Sequence, residues 1–221
     1  MPTKGKGIEI VRQPPDKGAI ISQGSIEIRR QGKPISGSIF GEGYVYLVID
    51  CSTSMQGNKL EQAKKGAMSF AKDALVKGYL TGLIQFHTFA KLICEPQKDV
   101  VILDRCLKAI TIGDTTHMAK AIRLAHNLLK GIPGTRVIVI VTDGMPNGPG
   151  DPKSSLDMAE DAKKSGIDII AIGTDDADQE FLKRLASRKD LGVKVQSKHL
   201  EKTISDSAKL LPTGHRDVAK R

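Results

Sequence analysis

The chain has 221 residues, a formal net charge of +9, and 39% hydrophobic against 27% charged residues, which fits one sizeable α/β domain with a small extension. No apolar run reaches the length of a membrane span and no N-terminal stretch has a signal peptide's apolar region, so a soluble, cytoplasmic protein with no membrane partner is expected. The basic residues are scattered and Trp is absent, so the positive charge reads as a solvated surface and nucleic acid is not the expected partner.

Residues 1–42 are rich in Gly and Pro and show no helical period. The short alternating runs at 8–11 and 25–30, and a turn at Gln31-Gly32-Lys33-Pro34 before 35–40, predict a β-hairpin-like arm with a flexible beginning. The arm either docks on the main domain or serves a partner.

From Tyr44 the pattern alternates between strands and helices. An apolar strand at 44–49 comes first. A helix follows, with Leu60, Ala63, Ala67, Phe70, Ala71, Ala74 and Leu75 at helical spacing. Asn58 with Glu61 predicts an N-cap and capping box at its start. A strand at 80–87 and a hairpin partner at 88–94 come next, then a helix at 100–110. Met118, Ala121, Ile122, Ala125, Leu128 and Leu129 mark another helix, stopped by Gly131 and Pro133. The remainder reads as strand 137–141, helix 152–164, strand 167–172, helix 178–188, strand 193–195 and helix 198–211. Leu200, Ile204, Ala208 and Leu211 give that last helix one apolar face. Residues 43–212 are therefore one domain, followed by a basic tail at 213–221.

Alternation of this kind implies a doubly wound, mostly parallel central sheet with helices on both faces and a short antiparallel edge strand. Ligands of such sheets bind at the carboxyl ends of strands, where the strand order reverses. Two apolar strands end in acids at such places: one in Asp50-Cys51-Ser52-Thr53-Ser54, the other in Thr142-Asp143-Gly144. Two carboxylates with alternating hydroxyls suggest a site for a hard cation made only of oxygen. Taken singly, Asp50, Ser52, Ser54 and Asp143 are as well explained as helix caps or turn residues; it is their combination that points to metal.

Asp50-x-Ser52-x-Ser54 after an apolar strand resembles the metal-ion-dependent adhesion site (MIDAS) of von Willebrand factor A (vWA) domains. That family adds a Thr from a later loop and an Asp from another strand, which Thr116 and Asp143 match; Thr115 competes with Thr116. The resemblance runs from about Tyr44 to Leu211, includes Ile172-Gly173-Thr174-Asp175, and excludes residues 1–42. It implies a Rossmann-like fold, a metal site of Asp50, Ser52, Ser54, Thr116 and Asp143, and Mg²⁺ as the cation, with Mn²⁺ or Ca²⁺ as alternatives. It also implies a protein partner that offers a Glu or Asp side chain to the metal. Among intracellular relatives, a MoxR-type AAA+ ATPase is one such partner.

Several neighbours have plainer readings. Cys51, Cys94 and Cys106 are odd in number, lack metal-type spacing and read as reduced thiols, Cys51 as a buried one at a strand end. His117 reads as a surface residue at a helix start. Thr142 and Gly144 support their loop, and the rim loop at 145–150 lies beside Asp143. Two other functions stay open. A phosphatase or metal-dependent hydrolase would need a second acid where Ser52 stands, and no nucleophile–base pair or phosphate-binding Gly-rich loop is present in the sequence. A nucleic-acid binder is the third. The expected protein is not an enzyme.

Overall fold

A computed structural model describes residues 20–22, 25–30, 33–38, 43–148 and 150–212. The chain divides into two compact units, residues 1–39 and residues 40–221.

In the first unit, β1 (Ile20–Ser22), β2 (Ser25–Arg30) and β3 (Lys33–Ser38) form an antiparallel sheet in that order. Strands β2 and β3 make the expected hairpin, but Arg30 pairs with Lys33. The connection is thus residues 31–32, shorter than the four-residue turn read from the sequence. Pro34 lies inside β3, which tolerates it because β3 is an edge strand. The run of three residues in β1 is too short to show an alternating pattern. The strand-like run at 8–11 and the tail at 213–221 lie outside the described residues.

The second unit is built on β4 (Gly43–Asp50), β5 (Tyr79–Phe86), β6 (Ala90–Gln97), β7 (Arg136–Thr142), β8 (Asp168–Thr174) and β9 (Gly192–Val195). Their order is β6-β5-β4-β7-β8-β9, and every pairing is parallel except β5 with β6. The Val- and Ile-rich strands β4 and β7 lie side by side at the centre and are buried almost end to end. This is the doubly wound α/β sheet expected, with an antiparallel edge.

Around the sheet pack α1 (Asn58–Val76), α2 (Val100–Lys108), α3 (Met118–Leu129), α4 (Asp151–Lys164), α5 (Gln179–Leu185) and α6 (Leu200–Ser207). Helix α1 lies against α6 and α2, while α4 lies against α3 and α5. The apolar stripe of α1 is buried as its spacing predicts, except that Leu75 is half-buried. Helices α1 and α6 approach closely at Gly66, where a Cβ would lie 2.7 Å from the Glu201 carbonyl oxygen and 2.9 Å from Ile204 Cβ. Leu200, Ile204, Ala208 and Leu211 are all buried beneath that contact.

Several helix boundaries differ from expectation, among them the end of α2, at Lys108 and not 110. Asn58 is the first residue of α1, not its cap; Gly57 stands in the cap position at φ 83° with no side-chain cap. Glu61 pairs instead with Lys64 at 3.3 Å. Helix α5 stops at Leu185 because the Ser187 backbone N–H turns back to the Ile169 carbonyl at 3.0 Å. The last helix is regular only over α6, with a single 3₁₀ turn on either side. No helix among the described residues is long and apolar enough to cross a membrane.

Candidate functional site

Strands β4 and β7 are neighbours in a parallel sheet, so their carboxyl ends deliver Asp50 and Asp143 to the same edge. The order of connection reverses here: β4 leads outward to β5 on one side, and the chain later returns to β7 on the other.

Asp50 is fully buried. Its Oδ1 accepts the Ser52 backbone N–H at 2.9 Å and its Oδ2 accepts the Thr142 hydroxyl at 2.7 Å. Burial pushes its carboxyl up to about 6; the hydrogen bonds from Thr142 and Ser52 counter this, and the charge of Asp143 adds to it. Beyond Asp50 the chain makes a single 3₁₀ turn, Thr53–Met55. That turn brings Ser52 Oγ to 3.0 Å from Ser54 Oγ, and Ser54 Oγ donates to Asp143 Oδ1 at 2.7 Å. Four of the five expected residues are thus joined in one chain of direct contacts: Asp50, Ser52, Ser54 and Asp143.

The fifth, Thr116, is buried on the loop between α2 and α3 and is held from outside this chain. Its backbone N–H donates to Asn147 Oδ1 at 2.9 Å, and its carbonyl accepts the Asn147 N–H at 3.3 Å. The same loop is pinned to the first strand end. Gly113 N–H donates to the Cys51 carbonyl at 2.8 Å, and the Thr53 hydroxyl donates to the Gly113 carbonyl at 3.1 Å. Thr115 donates its hydroxyl to that of Thr88 at 3.1 Å, on the β5–β6 hairpin. Its hydroxyl is therefore engaged on that hairpin.

Thr116 lies two residues ahead of the helix. Helix α3 starts at Met118, with His117 in the cap position and no side-chain cap of its own. Its Ala119 N–H donates to Asp151 Oδ1 at 3.0 Å, so the cap comes from the start of α4. His117 is half-buried, with Nδ1 3.4 Å from Asp151 Oδ2. Asn147 and Asp151 were not singled out by the sequence, because a loop Asn and an acid in a helix's first turn usually serve their own segment.

Lys59 was also missed. It stands in the first turn of α1, and its Nζ lies 2.5 Å from Asp143 Oδ2 and 3.0 Å from Asp175 Oδ2. Burial opposes its charge, but the bonds to Asp143 and Asp175 prevail and hold the ammonium above its ordinary value. The same pairing, Lys59 first, holds Asp175 below the usual carboxylate range. Asp175 directly follows β8 in the left-handed region at φ 48°, and the next residue, Asp176, donates its N–H to the Asp143 carbonyl at 3.0 Å.

The donor set is all oxygen: two buried carboxylates, two hydroxyls in contact, and Thr116 on the adjoining loop. Among the described residues no group of three or more His, Cys, Asp or Glu gathers to hold a metal. A thiolate or imidazole centre is not what this cluster offers; hydroxyls and two acids suit a hard cation. Cys51 is buried beside it, and burial first, then the charge of Asp50, pushes its thiol up to about 12, so it stays protonated. The three cysteines are free, as expected.

The model of the von Willebrand factor type A domain family matches residues 45–210, and the chain belongs to that family. Solved structures share the fold at low identity. The vWF domain of the type V pili tip protein Mfa5 from Porphyromonas gingivalis is 17% identical with a TM-score of 0.69, over 80% of this chain and 97% of that one. The conserved hypothetical protein BatB from Bacteroides thetaiotaomicron is 19% identical with a TM-score of 0.63, over 76% and 98%. The pilus adhesin SpaC from Lactobacillus rhamnosus GG is 15% identical with a TM-score of 0.67, over 76% of this chain and 30% of its own. No curated protein matches the sequence.

Proposed function

We propose that this domain is a non-enzymatic protein-binding module whose site is a MIDAS. In this reading Asp50, Ser52, Ser54, Thr116 and Asp143 hold a divalent cation, Mg²⁺ in the first place, with Mn²⁺ and Ca²⁺ as alternatives. The cation, when bound, supplies a Lewis-acidic position that a Glu or Asp side chain of a partner protein fills.

The observation that carries the reading is the direct run of contacts from Asp50 through Ser52 and Ser54 to Asp143, at the switch point of the sheet. The chain's own residues do three things there. Thr142 and the Ser52 N–H hold the Asp50 carboxylate in one orientation. The 3₁₀ turn sets two hydroxyls side by side. Asn147 fixes the Thr116 loop against the loop after β7. Hydroxyl donors in place of further acids keep the loaded site from carrying net negative charge, so that it does not repel a carboxylate.

The family is generally one of protein-interaction modules, and two of the neighbours above are a pilus tip protein and a pilus adhesin. For this chain an intracellular multi-protein assembly, with a MoxR-type AAA+ ATPase as one candidate partner, is the setting we propose. A pull-down from native lysate in Mg²⁺ and in chelator, run with the wild type and with Ser52→Ala/Ser54→Ala, tests it. A partner retained only by wild type in Mg²⁺ is expected. A partner retained equally in chelator, or by the double variant, contradicts the reading.

A further inference from the structure

Lys59 gives this site a cation of its own. Its ammonium touches one oxygen of Asp143 while Ser54 occupies the other. Asp175, on the next strand end, holds the ammonium from the far side. The side chains of Lys59 and Asp143 are 22% and 1% exposed, so this contact is not an ordinary solvated surface pair. The backbone beside Asp175 is also joined to that of Asp143, where the Asp176 N–H donates to the Asp143 carbonyl at 3.0 Å.

We infer that Lys59 is a positioning residue that sets how the site divides its strength: its ammonium weakens the hold on the divalent cation and strengthens that cation's pull on an incoming carboxylate. The inference rests on the metal-dependent reading above. Asp50, Asp143 and Asp175 with Lys59 sum to a formal charge of −2, which a divalent cation neutralises. A partner's carboxylate then approaches a neutral centre. Without the ammonium the three acids would sum to −3, the dication would bind more tightly, and the loaded site would repel an anion. A few ångströms separate these charges in a half-buried setting, where Coulomb terms amount to kcal/mol and not tenths. Sequence spacing does not reveal the role, since a Lys in the first turn of a helix normally opposes the helix dipole; here the two acids across the loop reverse that balance.

The test uses the full chain with Mn²⁺ as the metal probe, followed by electron paramagnetic resonance, and acetate as the carboxylate probe, followed by water-proton relaxation on the Mn²⁺-loaded protein. Lys59→Met and Lys59→Gln both remove the charge; Lys59→Arg keeps it. The neutral variants are expected to bind Mn²⁺ about tenfold more tightly and acetate several-fold more weakly, with Lys59→Arg near wild type. Opposite movements of the two affinities are the signature, because a variant that merely disturbs the fold loses both. Unchanged or weaker Mn²⁺ binding in the neutral variants overturns the role of Lys59 alone. Absence of saturable Mn²⁺ binding by the wild type overturns the metal reading itself, and this inference with it.

Discussion

Ser54 and Asp143 are 89 positions apart in the chain, yet Ser54 Oγ donates to Asp143 Oδ1 over 2.7 Å. That bond joins the loop after β4 to the end of β7. It exists because the parallel register of β4 and β7 places Ile49 beside Val141, so the two strands end level. The hydroxyl is on the exposed 3₁₀ turn while the carboxylate is buried, so the junction faces solvent from a fixed base.

Asp50 makes the site sensitive to pH. Burial first raises its carboxyl from 3.8 to about 6. An acid whose folded value lies above its unfolded one contributes stability fully present below pH 3.8, and this is lost as pH rises through about 6. In chelator the wild type should therefore lose roughly 2–3 kcal/mol of this contribution between pH 4 and pH 7.5, at about 1.4 kcal/mol per factor of ten. Asp50→Asn should flatten that part of the profile. Urea denaturation of both proteins across the window measures it; parallel profiles would contradict the assignment.

The same protonation competes with metal. Mg²⁺ affinity should be near its plateau above about pH 7 and fall about tenfold for each pH unit below 6, as a proton must leave Asp50 for the cation to bind. Calorimetric titrations at pH 5, 6 and 7.5 check this. Affinity independent of pH over that range would show that Asp50 does not take part.

Asn147 should matter without touching the cation. Asn147→Ala removes the partner of the Thr116 N–H, costing about 1 kcal/mol of stability. Loosening of the Thr116 loop should weaken Mg²⁺ binding by roughly 10-fold, the scale of effect for residues that orient ligands. Calorimetry gives the second figure and denaturation the first. A stability loss with unchanged Mg²⁺ affinity would remove Thr116 from the site.

Gly66 separates the fold from the site. A Cβ there meets the Glu201 carbonyl and Ile204 Cβ inside normal contact distance. Gly66→Val should force α6 away from α1 and cost about 1–3 kcal/mol, with faster amide exchange in α6. Mg²⁺ affinity should hold, since the site lies on other loops. Undiminished protection in α6 would mean that the two helices are not locked at this point.

Much of the fold was legible because periodicity reports burial. The apolar runs ending in Asp50 and Thr142 became the two central strands, and the stripe from Leu60 to Ala74 became the buried face of α1. Asp50, Ser52 and Ser54 were readable because local spacing sets their geometry, and Asp143 because its strand end was clear. What escaped depends on contacts across the chain. Asn147 serves a backbone group 31 positions away, and Asp151 caps a helix that begins 33 residues before it. Lys59 finds its partners 84 positions on and farther, at Asp143 and Asp175. The capping box at Asn58 failed for a similar reason: Gly57 turns the chain at positive φ, so Asn58 enters the helix itself.

In the proposed function, the hydroxyls of Ser52 and Ser54 bind a divalent cation together with Asp50, Thr116 and Asp143. Isothermal titration of Mg²⁺ into wild type and Ser52→Ala/Ser54→Ala, with circular dichroism confirming that both are folded, tests it most directly. Saturable one-site binding by the wild type and none by the folded double variant are expected. Equal Mg²⁺ binding by the two proteins, or none by the wild type, would contradict it.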